Sequence, residues 1–234
     1  MKARTESEVL GLLDQEFAWR RKELSTIWAD VTSAATKSRP ARVRAGTALL
    51  YAHWEGFIKA ASESYVNYVA RRRLRLRQLG PGFLALALRT RLTTFASADD
   101  ASAHIAFIEL VLGDLEADSQ LPKLGVVKTG ANLNSRRLKT IVLTLGLDYS
   151  PFQLKENLID NQLLEWRNKI AHGKSMLPTE DDFDLLYHET TTLLRNFKDQ
   201  IANAVVLKTY LKTEYHDPRP VLVHQERPLL ANTR

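Results

Sequence analysis

The sequence predicts an all-α protein, a bundle of long antiparallel helices joined by short connections. Apolar residues recur three and four positions apart along most of the chain, as they do on one face of a helix. Alternation with a period of two, which is typical of strands, is scarce. We therefore expect one helical domain over residues 1–215, followed by an extended, proline-containing tail over residues 216–234.

Composition narrows the class of partner and the class of chemistry. The net charge of +6 and the pI near 9.5 favour anionic partners, first of all nucleic acid. The chain has no cysteine, which excludes disulfides, zinc–thiolate sites and thiol catalysis. No run is apolar enough to span a bilayer, and residues 1–6 lack a signal-peptide core, so we expect a cytoplasmic protein with no membrane contact. Phosphate-loop, dinucleotide, zinc-protease and serine-hydrolase motifs do not occur, and no cofactor is predicted.

Capping signals place the helices of the first half. Thr5 and Glu8 form a capping-box pattern that opens a long helix, and residues 37–40 end it at Pro40. A second long helix is predicted from about Ala41 towards Leu79. The next predicted elements are helices over residues 83–95 and 101–116 and a loop over residues 121–134.

The second half carries its own start signals. Asn134 or Ser135 can cap a helix that runs to about residue 145. Two arginines in its first turn, at positions 136 and 137, oppose the helix dipole, which fits either an acidic neighbour or an anion-binding role. A turn over residues 146–151 precedes the next helix, and Thr179 begins the last long one.

The most informative stretch is the end of the helix before Gly173. A residue without a side chain is favoured just beyond a helix end, so Gly173 is predicted to terminate this helix. Its apolar face has members four, three and four positions apart: Ile159, Leu163, Trp166 and Ile170. Its polar flanks carry Arg167, Asn168 and His172, which are the candidate catalytic residues.

This trio suits phosphodiester cleavage. The forked cation of Arg167 matches phosphate oxygens, and His172 can exchange a proton near neutral pH. Asn168 can hold either the imidazole or the phosphate by hydrogen bonds. No metal is needed when the attacking group is the 2′-hydroxyl of RNA, which is already attached beside the phosphate. On an ideal helix Arg167 and His172 lie about 140° apart, so they converge only if the last turn unwinds or if a second chain contributes.

The motif resembles that of the HEPN superfamily of helical ribonucleases, an arginine and a histidine separated by four to six residues with a polar residue after the arginine. Two further stretches, Leu49–Phe57 and Asn132–Ser135, resemble one prokaryotic branch of that family. The resemblance covers roughly residues 40–210. It implies a HEPN-like helical bundle that works as a homodimeric, metal-independent endoribonuclease, with two motifs meeting across the subunit interface.

The resemblance also implies partners. Many relatives are toxins of toxin–antitoxin pairs or antiviral-defence effectors, so an antitoxin or other regulatory protein is an expected partner beside RNA. Some relatives carry a tyrosine two residues after the histidine, which an antitoxin nucleotidylates. Here that position is Lys174, so we do not expect this control. The alternative function is a non-catalytic HEPN-like module that binds nucleotide, nucleic acid or a protein, with Arg167 in an ion pair to Glu165 or Glu55.

Other polar residues allow two interpretations each. Glu55 and His53 either support the active site, with Glu55 orienting Arg167, or satisfy ordinary core contacts. Five arginines near the end of the second helix are either a solvated helix terminus or a clamp for RNA phosphates. With Lys174 they are the predicted RNA-binding cations: Arg71, Arg72, Arg73, Arg75 and Arg77. Asp184 and His188 could form a metal-ligand pair, but an acidic helix start explains this region better, and no metal site is predicted.

Overall fold

A computed structural model describes residues 3–97, 100–113, 115–121, 132–175 and 178–213 of the chain. Within these residues the predicted all-α class is confirmed, since they contain no strand, and only the isolated bridges Arg75–Asp118 and Leu79–Leu211 occur. The predicted tail over residues 216–234 and most of the predicted loop over residues 121–134 lie outside the described residues. The helices are α1 (Glu6–Thr32), α2 (Arg39–Ala70), α3 (Pro81–Ala87), α4 (Arg89–Ser97), α5 (Ala101–Gly113), α6 (Ser135–Thr144), α7 (Ser150–Gln153), α8 (Glu165–Ala171) and α9 (Glu180–Val206).

Three long helices, α1, α2 and α9, pack against one another and enclose the core. Lys198 on α9 pairs with Asp14 near the start of α1, and Asp184 accepts a hydrogen bond from Trp28 near the end of α1. These two contacts make α1 and α9 antiparallel. The large side chains that the three helices bury completely include Trp54, Phe57, Tyr65, Tyr68, Phe183 and Phe197.

Local hydrogen bonds begin the first and last long helices as predicted. Thr5 caps α1 and forms the reciprocal capping box with Glu8. Thr179 caps α9 in the same way with Asp182. Each box satisfies backbone N–H groups that have no partner inside the helix, which is why these starts are readable from sequence.

The second helix ends at Ala70, so the prediction that it continues towards Leu79 is wrong. Arg73 takes a positive φ of 49° and turns the chain. Beyond it Arg75 is extended, Leu76–Gln78 form a single 3-10 turn, and the N–H of Leu76 donates to the carbonyl of Ala117 at 3.0 Å. Leucine and arginine alternate at positions 74–77, a period of two that does not continue the pattern of an amphipathic helix. The arginine run therefore lies in the connection that follows α2.

The predicted helix over residues 83–95 is divided at Leu88 into α3 and α4. Helix α3 packs on α6, and α4 packs on α5. Helices α7 and α8 and the residues between them pack on α2 and α9. This second group carries the motif of Arg167 and His172.

Candidate active site

The helix that carries the motif ends as its sequence predicts. Gly173 has a φ of +68°, and its N–H donates to the carbonyl of Ile170. The N–H of Lys174 donates to the carbonyl of Lys169, which completes the paired bonds of a Schellman end. His172 is the last residue before this turn, and its side chain is exposed.

Because α8 stays helical to Ala171, the last turn does not unwind. Arg167 and His172 are therefore about 140° apart around the helix and about 7.5 Å apart along it. Asn168 lies one turn before His172, on the same outward face. Glu165 also lies on this face, where it pairs with Lys169 at 2.6 Å.

Arg167 is directed towards α2 and is partly buried. Its guanidinium carbon lies 4.0 Å from the centre of the Tyr51 ring, a cation–π contact. One of its terminal nitrogens donates to the side-chain oxygen of Asn132 at 3.2 Å. The stretches Leu49–Phe57 and Asn132–Ser135 thus both contact Arg167 of the motif, although they are far from it in the sequence.

Tyr51 also fixes the segment that holds Asn132. Its hydroxyl oxygen accepts the N–H of Leu133 at 2.6 Å in a buried position. Burial raises the pKa of Tyr51, while the N–H of Leu133 and the hydrogen bond to Arg167 act in the opposite direction. The phenol is therefore neutral at physiological pH and serves as an acceptor and as an aromatic surface for Arg167.

Asp160 ties the same segment to the helix that precedes α8. One carboxylate oxygen accepts the N–H of Ser135 at 2.7 Å, and the other accepts the Ser135 hydroxyl at 2.6 Å. Asp160 lies in a π-helical stretch, Leu158–Leu164, whose hydrogen bonds span five residues. Such stretches occur often at functional sites. Asn134 caps α6, and Asp160 is bonded to Ser135 at the start of the same helix, where the helix dipole favours a carboxylate.

The π-helical stretch also modifies the predicted apolar face. Ile159 and Leu163 are fully buried, but Trp166 and Ile170 are only partly buried. The wider turn rotates α8 relative to a regular helix, so the apolar stripe no longer lies wholly against the core. Two apolar side chains therefore remain partly accessible next to Arg167.

A basic residue at the start of α2 completes the group. Arg44 donates to the carbonyl of Lys174 at 2.9 Å, so it lies at the same helix end as His172. The sequence did not indicate Arg44, Asn132 or Asp160 as site residues, although Asn132 lay in one of the quoted stretches. Tyr51 lay in one of the quoted stretches but was assigned no role. Apart from their positions near those stretches, no local pattern distinguishes these residues.

Comparison with known proteins identifies the family of the chain. The family model described as HEPN_MAE_28990-like HEPN matches residues 9–210, which is most of the chain. This chain belongs to the HEPN superfamily. Other HEPN domains are often ribonucleases, bind RNA and often dimerise. No curated protein and no solved structure matches the chain. None of the described helices is both long and apolar enough to cross a membrane.

The two remaining candidates on α2 of this HEPN domain have different surroundings. Glu55 lies close enough to Tyr51 that its charge raises the pKa of the phenol. His53 faces α1, where its ring contacts Trp19 edge-on and its Nε2 lies 3.4 Å from a carboxylate oxygen of Glu23. The structure thus places Glu55 near the Arg167 group and places His53 on the α1 side of α2.

His53 should make the stability of the protein depend on pH. Burial lowers its pKa below the ordinary 6.5, against the opposite effect of Glu23. The unfolded chain then binds the proton at a higher pH than the folded protein, so the free energy of unfolding falls as pH drops below about 6.5. In His53→Gln the free energy of unfolding should fall less as pH drops than it does in the wild type. His104→Gln, at an exposed position on α5, should show the same decrease as the wild type. Urea unfolding at about pH 7.5 and about pH 5.5 measures the difference, and equal losses in all three proteins would refute the assignment.

The five arginines after α2 lie far from this group. Helix α2 rises about 1.5 Å per residue, so its end is about 30 Å from Tyr51 within one chain. Arg75 and Arg77 both pair with Glu116, at 2.6 and 2.9 Å. Lys174, by contrast, follows the motif directly and has an exposed side chain.

Asp184 and His188 on α9, which could have formed a metal-ligand pair, make contacts with each other and with α1. Asp184 and His188 approach to 3.5 Å, and the indole N–H of Trp28 donates to the same oxygen of Asp184 at 2.7 Å. Within the described ranges no three metal-ligating side chains of His, Asp or Glu lie together. These two residues therefore belong to the packing between α1 and α9.

Proposed function

We propose that this HEPN protein is an endoribonuclease that cleaves RNA without a metal ion, with Arg167, His172 and Asn168 as its catalytic residues. The observation that carries the proposal is the position of Arg167. It is oriented by Tyr51 and Asn132 and lies beside a helix end with an exposed histidine.

Arg167 has the role of binding the scissile phosphate. The cation–π contact with Tyr51 holds the guanidinium at a fixed place beside α2. A planar cation held in advance stabilises the charge that develops on the phosphate oxygens, because no reorganisation is required during the reaction. Asn132 restrains this orientation further.

His172 has the role of proton transfer. The 2′-oxygen forms a bond to phosphorus, the bond from phosphorus to the 5′-oxygen breaks, and the product is a 2′,3′-cyclic phosphate. The proton of the 2′-hydroxyl must be removed, and the leaving 5′-oxygen must be protonated. An exposed imidazole can perform either step near neutral pH. Asn168, one helical turn away, can orient that imidazole.

A homodimer is part of the proposal. Within one chain the two catalytic side chains leave α8 about 140° apart, which favours an active site built from Arg167 of one subunit and His172 of the other. The partly accessible Trp166 and Ile170 supply apolar surface on the same helix. Aromatic side chains are enriched at the centres of protein interfaces.

The biological setting that we propose is that of a toxin or antiviral-defence effector. The support is the family membership together with the basic net charge of +6, which favours RNA over neutral substrates. An endoribonuclease of this kind would need a regulatory protein or a trigger to restrain it in the cell.

The chemistry can be tested on the purified protein with single-stranded RNA. We expect cleavage that EDTA does not inhibit and products that end in 2′,3′-cyclic phosphate, identified by mass spectrometry. A matched oligonucleotide with 2′-deoxy sugars should resist cleavage, because it lacks the attacking group. Cleavage of that substrate at the full rate would overturn the mechanism.

One observation favours the non-catalytic alternative. Arg167 already uses one face on Tyr51 and one nitrogen on Asn132, as an arginine with a structural role would. In that case the protein would bind RNA in a salt-dependent way without cutting it. The cleavage experiment above separates the two functions.

A further inference from the structure

A cavity lies at the far end of α2 from Arg167. Its volume is about 490 Å³, within the range of about 300–1,000 Å³ that is usual for ligand sites. Its lining combines the end of α2, the loop after it and the segment before α1. The lining residues are Arg4, Asn67, Ala70, Arg71 and Arg73.

The structure separates the arginine run into members with different roles. Arg75 and Arg77 share the carboxylate of Glu116, which offsets one of their two charges, and neither lines the cavity. Arg72 stacks on Tyr68 at 4.3 Å and donates to the carbonyl of Arg4 at 3.3 Å. Arg72 thereby holds the segment before α1 against the end of α2.

Arg71 and Arg73 are the members of the run that line the cavity, and Arg4 joins them from the other side. Glu8 is a carboxylate close to Arg4 and Arg71, and it accepts the N–H groups of Arg4 and Thr5 at the start of α1. Three cations thus border one cavity. Arg73 reaches its place only through a positive φ, which is uncommon for residues other than glycine.

We propose that this cavity is a second phosphate-binding site, which takes the phosphate groups of a nucleotide. Guanidinium groups on several sides can engage the oxygens of more than one phosphate. The site is about 30 Å from Tyr51 along α2, so within one chain it is separate from the Arg167 group. It does not depend on RNA cleavage, because its function is binding.

The test compares two double variants that remove the same charge from the same loop. Arg71→Gln/Arg73→Gln removes the cavity cations, and Arg75→Gln/Arg77→Gln removes the cations that pair with Glu116. The probe is fluorescent single-stranded RNA with 2′-O-methyl sugars, which lacks the attacking hydroxyl, and the readout is fluorescence anisotropy. We expect RNA to bind the first variant about tenfold more weakly than the wild type. The slope of log K against the logarithm of the salt concentration should decrease in magnitude by about 1.4, the value for two phosphates on a single strand.

The second double variant should bind RNA within about twofold of the wild type, because neither of its cations lines the cavity. Equal losses of binding in both variants, or a first variant that binds both RNA and ATP as the wild type does, would overturn the proposal. Arg4→Gln, outside the helices, repeats the test if Arg71→Gln/Arg73→Gln does not fold. A parallel titration with ATP identifies the source of the phosphates. Loss of ATP binding in the first variant assigns a free nucleotide, and loss of RNA binding alone assigns an RNA strand.

Discussion

His172→Ala should abolish RNA cleavage while the protein remains folded. The side chain is exposed at the end of α8, so its removal leaves no cavity in the core. Loss of a general acid or base lowers the rate by about 10²–10⁴-fold. Arg167→Ala should lower it by about 10²–10³-fold, the usual effect of removing one preorganised donor. Cleavage of labelled RNA under single-turnover conditions measures both.

Helix α9 offers a matched control for His172 and another for Arg167. His188 is an exposed histidine and Arg195 an exposed arginine, so His188→Ala and Arg195→Ala remove the same chemistry elsewhere. Both controls should cleave RNA at the rate of the wild type. Expression of each protein in bacteria, with growth and RNA integrity scored together, extends the test to the cell. Growth arrest that persists in His172→Ala would contradict a toxic ribonuclease.

Tyr51→Ala should give the largest loss of stability among the site residues. The side chain is almost fully buried, and removing an aromatic ring from a core costs about 3–5 kcal/mol. Tyr51→Phe keeps the ring under Arg167 but removes the acceptor of the Leu133 N–H. That group is buried, so the cost is about 1–3 kcal/mol. Urea unfolding gives both values.

The two substitutions separate the functions of one side chain. Tyr51→Phe should keep most of the cleavage activity at a temperature where it is folded, since Arg167 retains its aromatic surface. Tyr51→Ala should lose activity even where it is folded, because the guanidinium loses its orientation. Tyr187→Phe on α9 is the control and should change stability by less than about 0.5 kcal/mol. Equal stability of Tyr51→Phe and the wild type would refute the role of the hydroxyl.

Elements controlled by short-range contacts were predictable. The capping boxes at Thr5 and Thr179 and the glycine at position 173 depend on hydrogen bonds within three to five residues. The end of α2 was not predicted, because the segment after Ala70 is held by the carbonyls of Leu115 and Ala117, which are distant in sequence. The division of the helix at Leu88 likewise has no strong local breaker.

The candidate site shows the same division. The sequence supplied Arg167, Asn168 and His172 by their spacing on one helix end. It could not supply Tyr51 and Asn132, since these reach Arg167 only when α2 and the segment before α6 pack beside α8. The roles of His53 and Glu55 also depended on the direction in which each side chain leaves α2.

By itself the sequence determined the helical class, the helix starts, the basic charge and the identity of the motif residues. These properties follow from composition and from contacts within about one helical turn, and both depend only on residues that are near one another in the sequence. Only the tertiary structure decided which aromatic ring orients Arg167, which arginines pair with Glu116 and which border a cavity. Such choices depend on which distant segments bury their apolar faces together, and burial is a property of the packed chain.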